Sequence, residues 1–135
     1  MISTELASRL REAGLSWNPA DGDRFRIDSP QLAEEVFTVS ALVVETHHYD
    51  TGTVLGFNGT TEWALDSVEI SDTLWLPRED QLRDLLGGTF RSLRHDDGAY
   101  AVEVELLGER RVFEGPDPAE AYGEALLALV ELAAH

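Results

Sequence analysis

The alternation of apolar and polar side chains is clearest in the last third of the chain. From residue 100 to 106, tyrosine, valine and leucine alternate with alanine and glutamate, which is the period of a strand with one buried face. Residues 89–93 and 111–114 also have strand character, and turn signals separate the three segments at 96–98 and 108–109. The pattern predicts three consecutive antiparallel strands.

Two earlier segments have the spacing of amphipathic helices. The first starts at a capping residue, Ser3 or Thr4, and Gly14 provides a left-handed end. The second has Pro77 as its first helical residue and ends at the glycine pair 87–88. Apolar residues at helical spacing predict the buried face of each helix: Leu6, Leu10 and Ala13 in the first, and Leu82, Leu85 and Leu86 in the second.

The final helix has a well-marked start. We expect Asp117 to cap it, Pro118 to occupy its first turn, and Glu120 to bond back to the capping residue. A wide apolar stripe on this helix is suited to lying across a sheet. The stripe consists of Ala121, Tyr122, Ala125, Leu126, Leu129, Val130 and Ala133.

The middle of the chain contains short strand patterns separated by turn signals. Strands are predicted at 23–27, 36–39, 42–49 and 53–57, and residues 74–76 form a short apolar segment. Turn signals occur at 50–52 and 58–59, and residues 60–68 fit either a strand or a single helical turn. Together the elements predict a single α+β domain over residues 1–135. Its mainly antiparallel sheet has about six or seven strands, with N-terminal, middle and C-terminal helices.

The chain is strongly acidic. Twenty-six aspartates and glutamates oppose ten arginines, lysine is absent, and the formal net charge is −16. No arginine occurs between Arg26 and Arg78. Such a field repels phosphate backbones, so we predict no direct binding of nucleic acid. A basic protein partner, or mimicry of nucleic acid towards a DNA-binding protein, is compatible with this charge.

Catalytic and cofactor-binding motifs do not stand out in the sequence. The absence of cysteine excludes disulfides, catalytic thiolates and cysteine-ligated metals, and the absence of lysine excludes a Walker-type phosphate loop. No serine or threonine lies in a nucleophile elbow, and no pair of carboxylates is singled out by its spacing. We predict no catalytic residues and no cofactor.

The best candidates for metal ligands are the adjacent His47 and His48, with Glu45 and Asp50 beside them. On a strand, Glu45 and His47 project to one face and His48 and Asp50 to the other, so at most two of the four share an ion. A zinc site needs three or four ligands, and the next histidine, His95, falls in a predicted turn. We predict no metal site.

Aromatic residues near the turns of the middle region are the best candidates for a binding surface. Trp17, Trp63 and Trp75 are spaced among turn and strand signals, where large rings usually form the rigid centre of a small domain. The alternative is a ligand pocket or interaction face. The candidate binding residues are Tyr49, Phe57, Trp63, Trp75 and His47.

Targeting and membrane signals are not visible in the sequence. The start of the chain lacks a basic region followed by an apolar run. The longest apolar segment, residues 125–130, is far too short to cross a bilayer. We expect a soluble cytoplasmic protein that does not bind membranes.

Several distinctive segments carry a resemblance to a known group of proteins. They are WNP at 17–19 with GDRF at 22–25, FNGTTEWALDSV at 57–68, and LWLPREDQL at 74–82. These segments resemble a family of short, uncharacterised actinobacterial proteins, and the resemblance covers most of the chain. Some members carry the label "pilus assembly protein" of the CpaE type. The resemblance implies no established catalytic residues.

These observations favour a non-enzymatic protein that acts by binding another protein or by self-association. One alternative is a small-molecule-binding or hydrolytic domain whose pocket is lined by Trp63, Trp75, Tyr49 and His47. A second alternative is an acidic mimic of nucleic acid, which requires the carboxylates between Asp28 and Asp72 to lie along one surface at phosphate-like spacing.

Overall fold

The computed structural model describes residues 1–29, 32, 34–39, 44–49, 52–57 and 67–134, and of residues 44–49, 52–57 and 67–70 it describes the backbone. Three α-helices lie in this part of the chain: α1 (Thr4–Ala13), α2 (Glu79–Leu86) and α3 (Pro118–Ala133). The same residues form nine strands, which are β1 (Arg24–Ile27), β2 (Phe37–Thr38), β3 (Val44–Tyr49), β4 (Gly52–Phe57), β5 (Ser67–Glu69), β6 (Thr73–Leu76), β7 (Phe90–Asp96), β8 (Ala99–Leu106) and β9 (Glu109–Gly115). The α+β class is as predicted.

The chain folds into two compact units. The terminal unit consists of Met1–Ser16 and Pro77–His135, and the central unit consists of Trp17–Leu76. All three described α-helices belong to the terminal unit. The prediction that residues 1–135 form a single domain stays a prediction.

Two-residue turns join the strands of the terminal unit into an antiparallel sheet of order β7–β8–β9. Asp97 and Gly98 form the first turn with φ of 49° and 76°, and Leu107 and Gly108 form the second with φ of 51° and 80°. Two successive left-handed residues match the twist of paired strands. The three predicted strands are confirmed. The second turn lies one residue earlier than predicted because Leu107, an unusual turn residue, adopts the left-handed conformation.

Helix α3 covers the inner face of this sheet. It packs on β8 and β9, and α1 and α2 both pack on α3. A Cβ atom at Gly123 of α3 would lie 2.6 Å from Cδ2 of Leu6, so this glycine allows α1 to approach closely. Buried side chains from these elements form the core: Leu6, Leu10, Leu82, Leu86, Val102, Val104, Leu106, Tyr122 and Leu126.

Side-chain caps define the starts of α1 and α3. Ser3 accepts a 3.1 Å hydrogen bond from the Leu6 N–H, and Gly14 ends α1 with φ of 119°. Asp117 accepts a 3.0 Å hydrogen bond from the Glu120 N–H. The prediction that Glu120 bonds back to Asp117 is wrong, because its carboxylate accepts from the Ser3 backbone N–H and thereby links the starts of the two helices.

Helix α2 starts two residues later than predicted. Arg78 is its N-cap and has an extended backbone, with φ of −77° and ψ of 162°. The Arg78 N–H donates a 2.9 Å hydrogen bond to Oε1 of Gln81, which satisfies the backbone at the helix start. Pro77 therefore precedes the cap instead of occupying the first helical position, since a proline ring restrains φ without requiring a helical ψ.

The buried faces of α2 and α3 differ from the predicted stripes. Leu85 is 42% exposed, so Leu82 and Leu86 alone of the predicted α2 stripe are buried. In α3 the buried residues end at Leu127, and Ala133 is exposed. The late positions of the predicted α3 stripe, Leu129, Val130 and Ala133, are therefore partly or fully exposed.

The strands of the central unit form two further three-stranded antiparallel sheets, of order β2–β1–β6 and β3–β4–β5. The prediction of one sheet with six or seven strands is wrong, because the nine described strands divide among three sheets. β6 pairs with the distant β1 along its whole length, and α2 follows β6 directly in the chain. The β3–β4 hairpin pairs onward with β5, and residues 60–66, predicted as strand or helical turn, lie outside the described residues.

Candidate binding surface

The outer face of the β7–β8–β9 sheet lies opposite the face that α3 covers. Alternation along β8 puts Val102 and Val104 on the inner face and Ala101 and Glu103 on the outer one. Residues on the outer face are partly or fully exposed to solvent. The outer face consists of Ser92, Arg94, Asp96, Ala99, Ala101, Glu103, Glu105, Arg110, Val112 and Glu114.

A concave trough of about 370 Å³ lies on this outer face. The trough is concave because the middle strand, β8, contributes only the small side chains of Ala99 and Ala101 to it. The register pairs Ala101 with Arg94 on one side and with Glu114 on the other. Since neighbouring strands are about 4.8 Å apart, the backbones of the two charged residues are roughly 10 Å apart across the trough. The described residues that line the trough are Arg94, Asp96, Asp97, Ala99, Ala101, Val112 and Glu114.

The charged groups of the trough have no ion pair or hydrogen bond through their side chains to any other residue that the structure describes; they are Arg94, Asp96, Asp97 and Glu114. The charges further along the same face are paired instead. Arg110 donates to Glu103 at 2.8 Å, and Arg91 donates to Glu105 at 3.1 Å. The trough thus combines three carboxylates with one guanidinium, all available to a ligand.

The lining residues carry donors and acceptors of hydrogen bonds. Aspartate and glutamate carboxylates accept hydrogen bonds from cations, and the arginine donates hydrogen bonds without accepting any. The lining residues that the structure describes include no hydroxyl, thiol, imidazole or amine side chain that would act as a nucleophile. The trough can therefore hold and orient a charged group.

Two side chains elsewhere in the terminal unit have shifted pKa values. The hydrogen bond from Arg78, at 3.1 Å, lowers the pKa of the Asp80 carboxyl below its ordinary value. Burial raises the pKa of the Tyr122 phenol, and the nearby charge of Arg83 opposes this effect. Neither residue lines the trough: Asp80 lies at the start of α2, and Tyr122 lies where α3 packs on α2.

Of the five candidate binding residues, Trp75 alone has a side chain that the structure describes. Trp75 lies on β6, where its ring stacks on Trp17 with centroids 6.5 Å apart and planes 9° apart. His47 and Tyr49 lie on β3 and Phe57 lies on β4, where the backbone is described. Trp63 lies outside the described residues. A binding role for the five residues therefore stays a prediction.

The stack around Trp17 belongs to the core of the central unit. Its ring contacts Phe25 at a centroid distance of 5.3 Å, and its Nε1–H donates a 2.9 Å hydrogen bond to Oδ2 of Asp23. The same oxygen accepts from the Ala20 N–H at 3.0 Å, and Asp23 is only 3% exposed. The buried cluster beside this stack is Phe25, Ile27, Phe37 and Val39. Trp75 thus takes part in core packing.

The metal candidates are only partly described. Glu45, His47 and His48 lie on β3, and Asp50 lies outside the described residues. Within the described part of the chain, no group of three or more histidine, cysteine, aspartate or glutamate side chains is arranged to hold a metal ion. His95 lies at the end of β7, not in a turn as predicted, and its ring stacks on Tyr100 at a centroid distance of 4.3 Å.

The patterns in the sequence do not identify the trough. Asp96 and Asp97 fall within the turn signal at 96–98, and no pattern singles out Arg94. The signal that points to the trough is the pair of alanines on the polar side of a middle strand, at Ala99 and Ala101, flanked by larger residues on both neighbouring strands. Recognising this signal requires the pairing register of the three strands as well as the alternation of polar and apolar residues along each of them.

No protein-family model matches the chain, and neither the curated proteins nor the solved structures compared with it show significant similarity. The resemblance to short actinobacterial proteins therefore stays a prediction. Among the described residues, no helix has the length and apolar character needed to span a membrane.

Proposed function

We propose that the protein is a non-enzymatic binding protein that recognises another polypeptide at the outer face of the β7–β8–β9 sheet. The observation that carries this proposal is the trough of about 370 Å³, whose four charged side chains have no partner among the described residues. Isolated charges around a concave surface supply hydrogen bonds and orientation to a partner. Three of these groups, Arg94, Asp96 and Glu114, lie on paired strands of the sheet.

The lining favours a binding function over a hydrolytic one. Hydrolysis by paired carboxylates usually takes place in a cleft that excludes bulk water. Asp96, Asp97 and Glu114 are instead exposed to solvent. The trough is also open to solvent, whereas a pocket for a small molecule usually buries most of its ligand.

Filling the trough tests this proposal. Ala101→Trp puts a large ring over the floor, and Ala133→Trp puts the same ring at an exposed position of α3 as a matched control. Each variant and the wild type, immobilised after its circular dichroism has confirmed folding, captures proteins from cells of the native organism. We expect a protein retained by the wild type and by Ala133→Trp to be lost from Ala101→Trp. Equal capture by all three would refute binding at this face.

A further inference from the structure

We infer that the occupant of the trough is an extended, basic segment of a partner protein, with an arginine or lysine side chain inserted over Ala99 and Ala101. This inference rests on the proposed function and names the chemistry of the partner. Three considerations lead to it: the charge of the lining, the size of the outer face, and the geometry of the two walls.

The charge of the lining favours a cation. Asp96, Asp97 and Glu114 outnumber Arg94 three to one, and the whole chain has a formal charge of −16. A guanidinium presents five donors in a planar fork that matches carboxylate oxygens, and an ammonium presents three. The field of the chain also steers basic segments towards this face and repels acidic ones.

The size of the outer face argues against a second copy of the chain. Three strands about 4.8 Å apart and eight residues long, at about 3.3 Å per residue, cover less than about 400 Å². A stable interface buries about 800 Å² on each partner. Two chains of charge −16 also repel each other. An extended peptide of about eight residues matches the length of β8 and needs no further contact area.

The two sides of the trough carry opposite charges, so a bound peptide can lie in only one orientation. Arg94 and Glu114 stand on opposite sides of Ala101 in the same row of the sheet. A basic side chain between them is held by Glu114, with Asp96 and Asp97 at the hairpin end, whereas Arg94 can only donate hydrogen bonds and so needs an acceptor. Arg94 therefore faces the carbonyl groups of the peptide backbone, and the basic side chain turns away from it.

A titration followed by NMR tests this inference on the full chain. The probe is a synthetic eight-residue peptide of alanine, glycine and serine with one central arginine, and a second peptide has glutamine in its place. ¹⁵N-labelled protein is titrated with each peptide at low salt and at 0.15 M salt. We expect amide shifts at Ala99, Ala101 and Val112 with the arginine peptide, and at least tenfold weaker binding of the glutamine peptide.

Two charge-reversal variants distinguish binding at the trough from general attraction of the peptide to the negative charge of the chain. Glu114→Lys changes the trough, and Glu12→Lys makes the same change of charge at an exposed position of α1. We expect Glu114→Lys to weaken binding of the arginine peptide at least tenfold and Glu12→Lys to weaken it less than twofold. Equal weakening by both variants, or shifts away from the trough, would overturn the inference.

Failure of this inference is distinguishable from failure of the proposed function. If Ala101→Trp loses a captured protein but that protein binds the trough through an acidic or apolar segment, polypeptide binding stands and the basic occupant is wrong. Sedimentation velocity tests whether a second copy of the chain occupies this face. A dimer that dissociates in Glu114→Lys but not in Glu12→Lys would overturn the inference.

Discussion

Gly115→Ala should destabilise the terminal unit because the end of β9 touches the start of α3. A Cβ atom at residue 115 would lie 2.9 Å from the backbone nitrogen of Ala121 and 2.9 Å from Cβ of Glu120. Neither atom is the free end of a flexible side chain, so relief of the clash requires the first turn of α3 to move. The cap at Asp117 holds that turn in place.

The expected magnitude follows from two opposing effects. Replacing glycine by alanine restricts the unfolded chain and by itself stabilises a protein by about 0.4–1 kcal/mol where the backbone is compatible. Forcing an extra methyl group into a packed contact costs about 1–3 kcal/mol. We therefore expect Gly115→Ala to lower the free energy of unfolding by about 1–2 kcal/mol. With a urea slope of about 1–3 kcal/mol/M, the midpoint falls by roughly 1 M.

The assay is urea unfolding followed by circular dichroism, because all three described helices lie in the terminal unit. Gly88→Ala is the matched control, since a Cβ atom there meets nothing within 4 Å and its φ lies outside the left-handed region. We expect the control to leave the midpoint unchanged or raise it slightly. If Gly115→Ala unfolds at the wild-type midpoint, the close approach of β9 and α3 is not a tight contact and the reasoning fails.

Two further substitutions test the central unit and the second hairpin. Asp23→Ala leaves the Trp17 indole N–H and the Ala20 N–H without their buried acceptor, so unfolding followed by tryptophan fluorescence should show a loss of about 2 kcal/mol. Asp23→Asn keeps an acceptor oxygen and should lose less; an equal loss would contradict the hydrogen-bond explanation. Leu107→Asn should raise stability by about 0.5–1 kcal/mol, because Leu107 is 88% exposed at a left-handed position that asparagine tolerates better. A lower melting temperature for Leu107→Asn would show that the leucine makes a contact that matters to the fold.

The elements that depend on neighbouring residues were predictable from the sequence. The caps at Ser3 and Asp117, and the alternation along β8, appear in the structure because each depends on residues a few positions apart. The pairing of β6 with β1 joins residues nearly fifty positions apart, and no local pattern specifies it. This pairing is one reason that the strands divide among separate sheets.

Predicting the trough from the sequence would have required the correct position of the second turn, which depends on the unusual residue Leu107. Two-residue turns fix the register of both hairpins, and that register puts Arg94, Ala101 and Glu114 in one row. The sequence predicts the second turn at 108–109, and a two-residue turn moved by one position changes the pairing of β9 by two residues, so that Glu114 would lie opposite Glu103 instead of Ala101. Leu107 therefore concealed the row that forms the candidate site.

The discontinuity of the terminal unit has a consequence for biosynthesis. Its N-terminal helix, α1, leaves the ribosome first but packs on α3, which is made more than one hundred residues later. Domains generally fold as units once their residues have emerged. During translation, the apolar face of α1 with Leu6 and Leu10 must therefore wait for residues 118–133, and nascent chains that stall before that point expose it to chaperones and proteases.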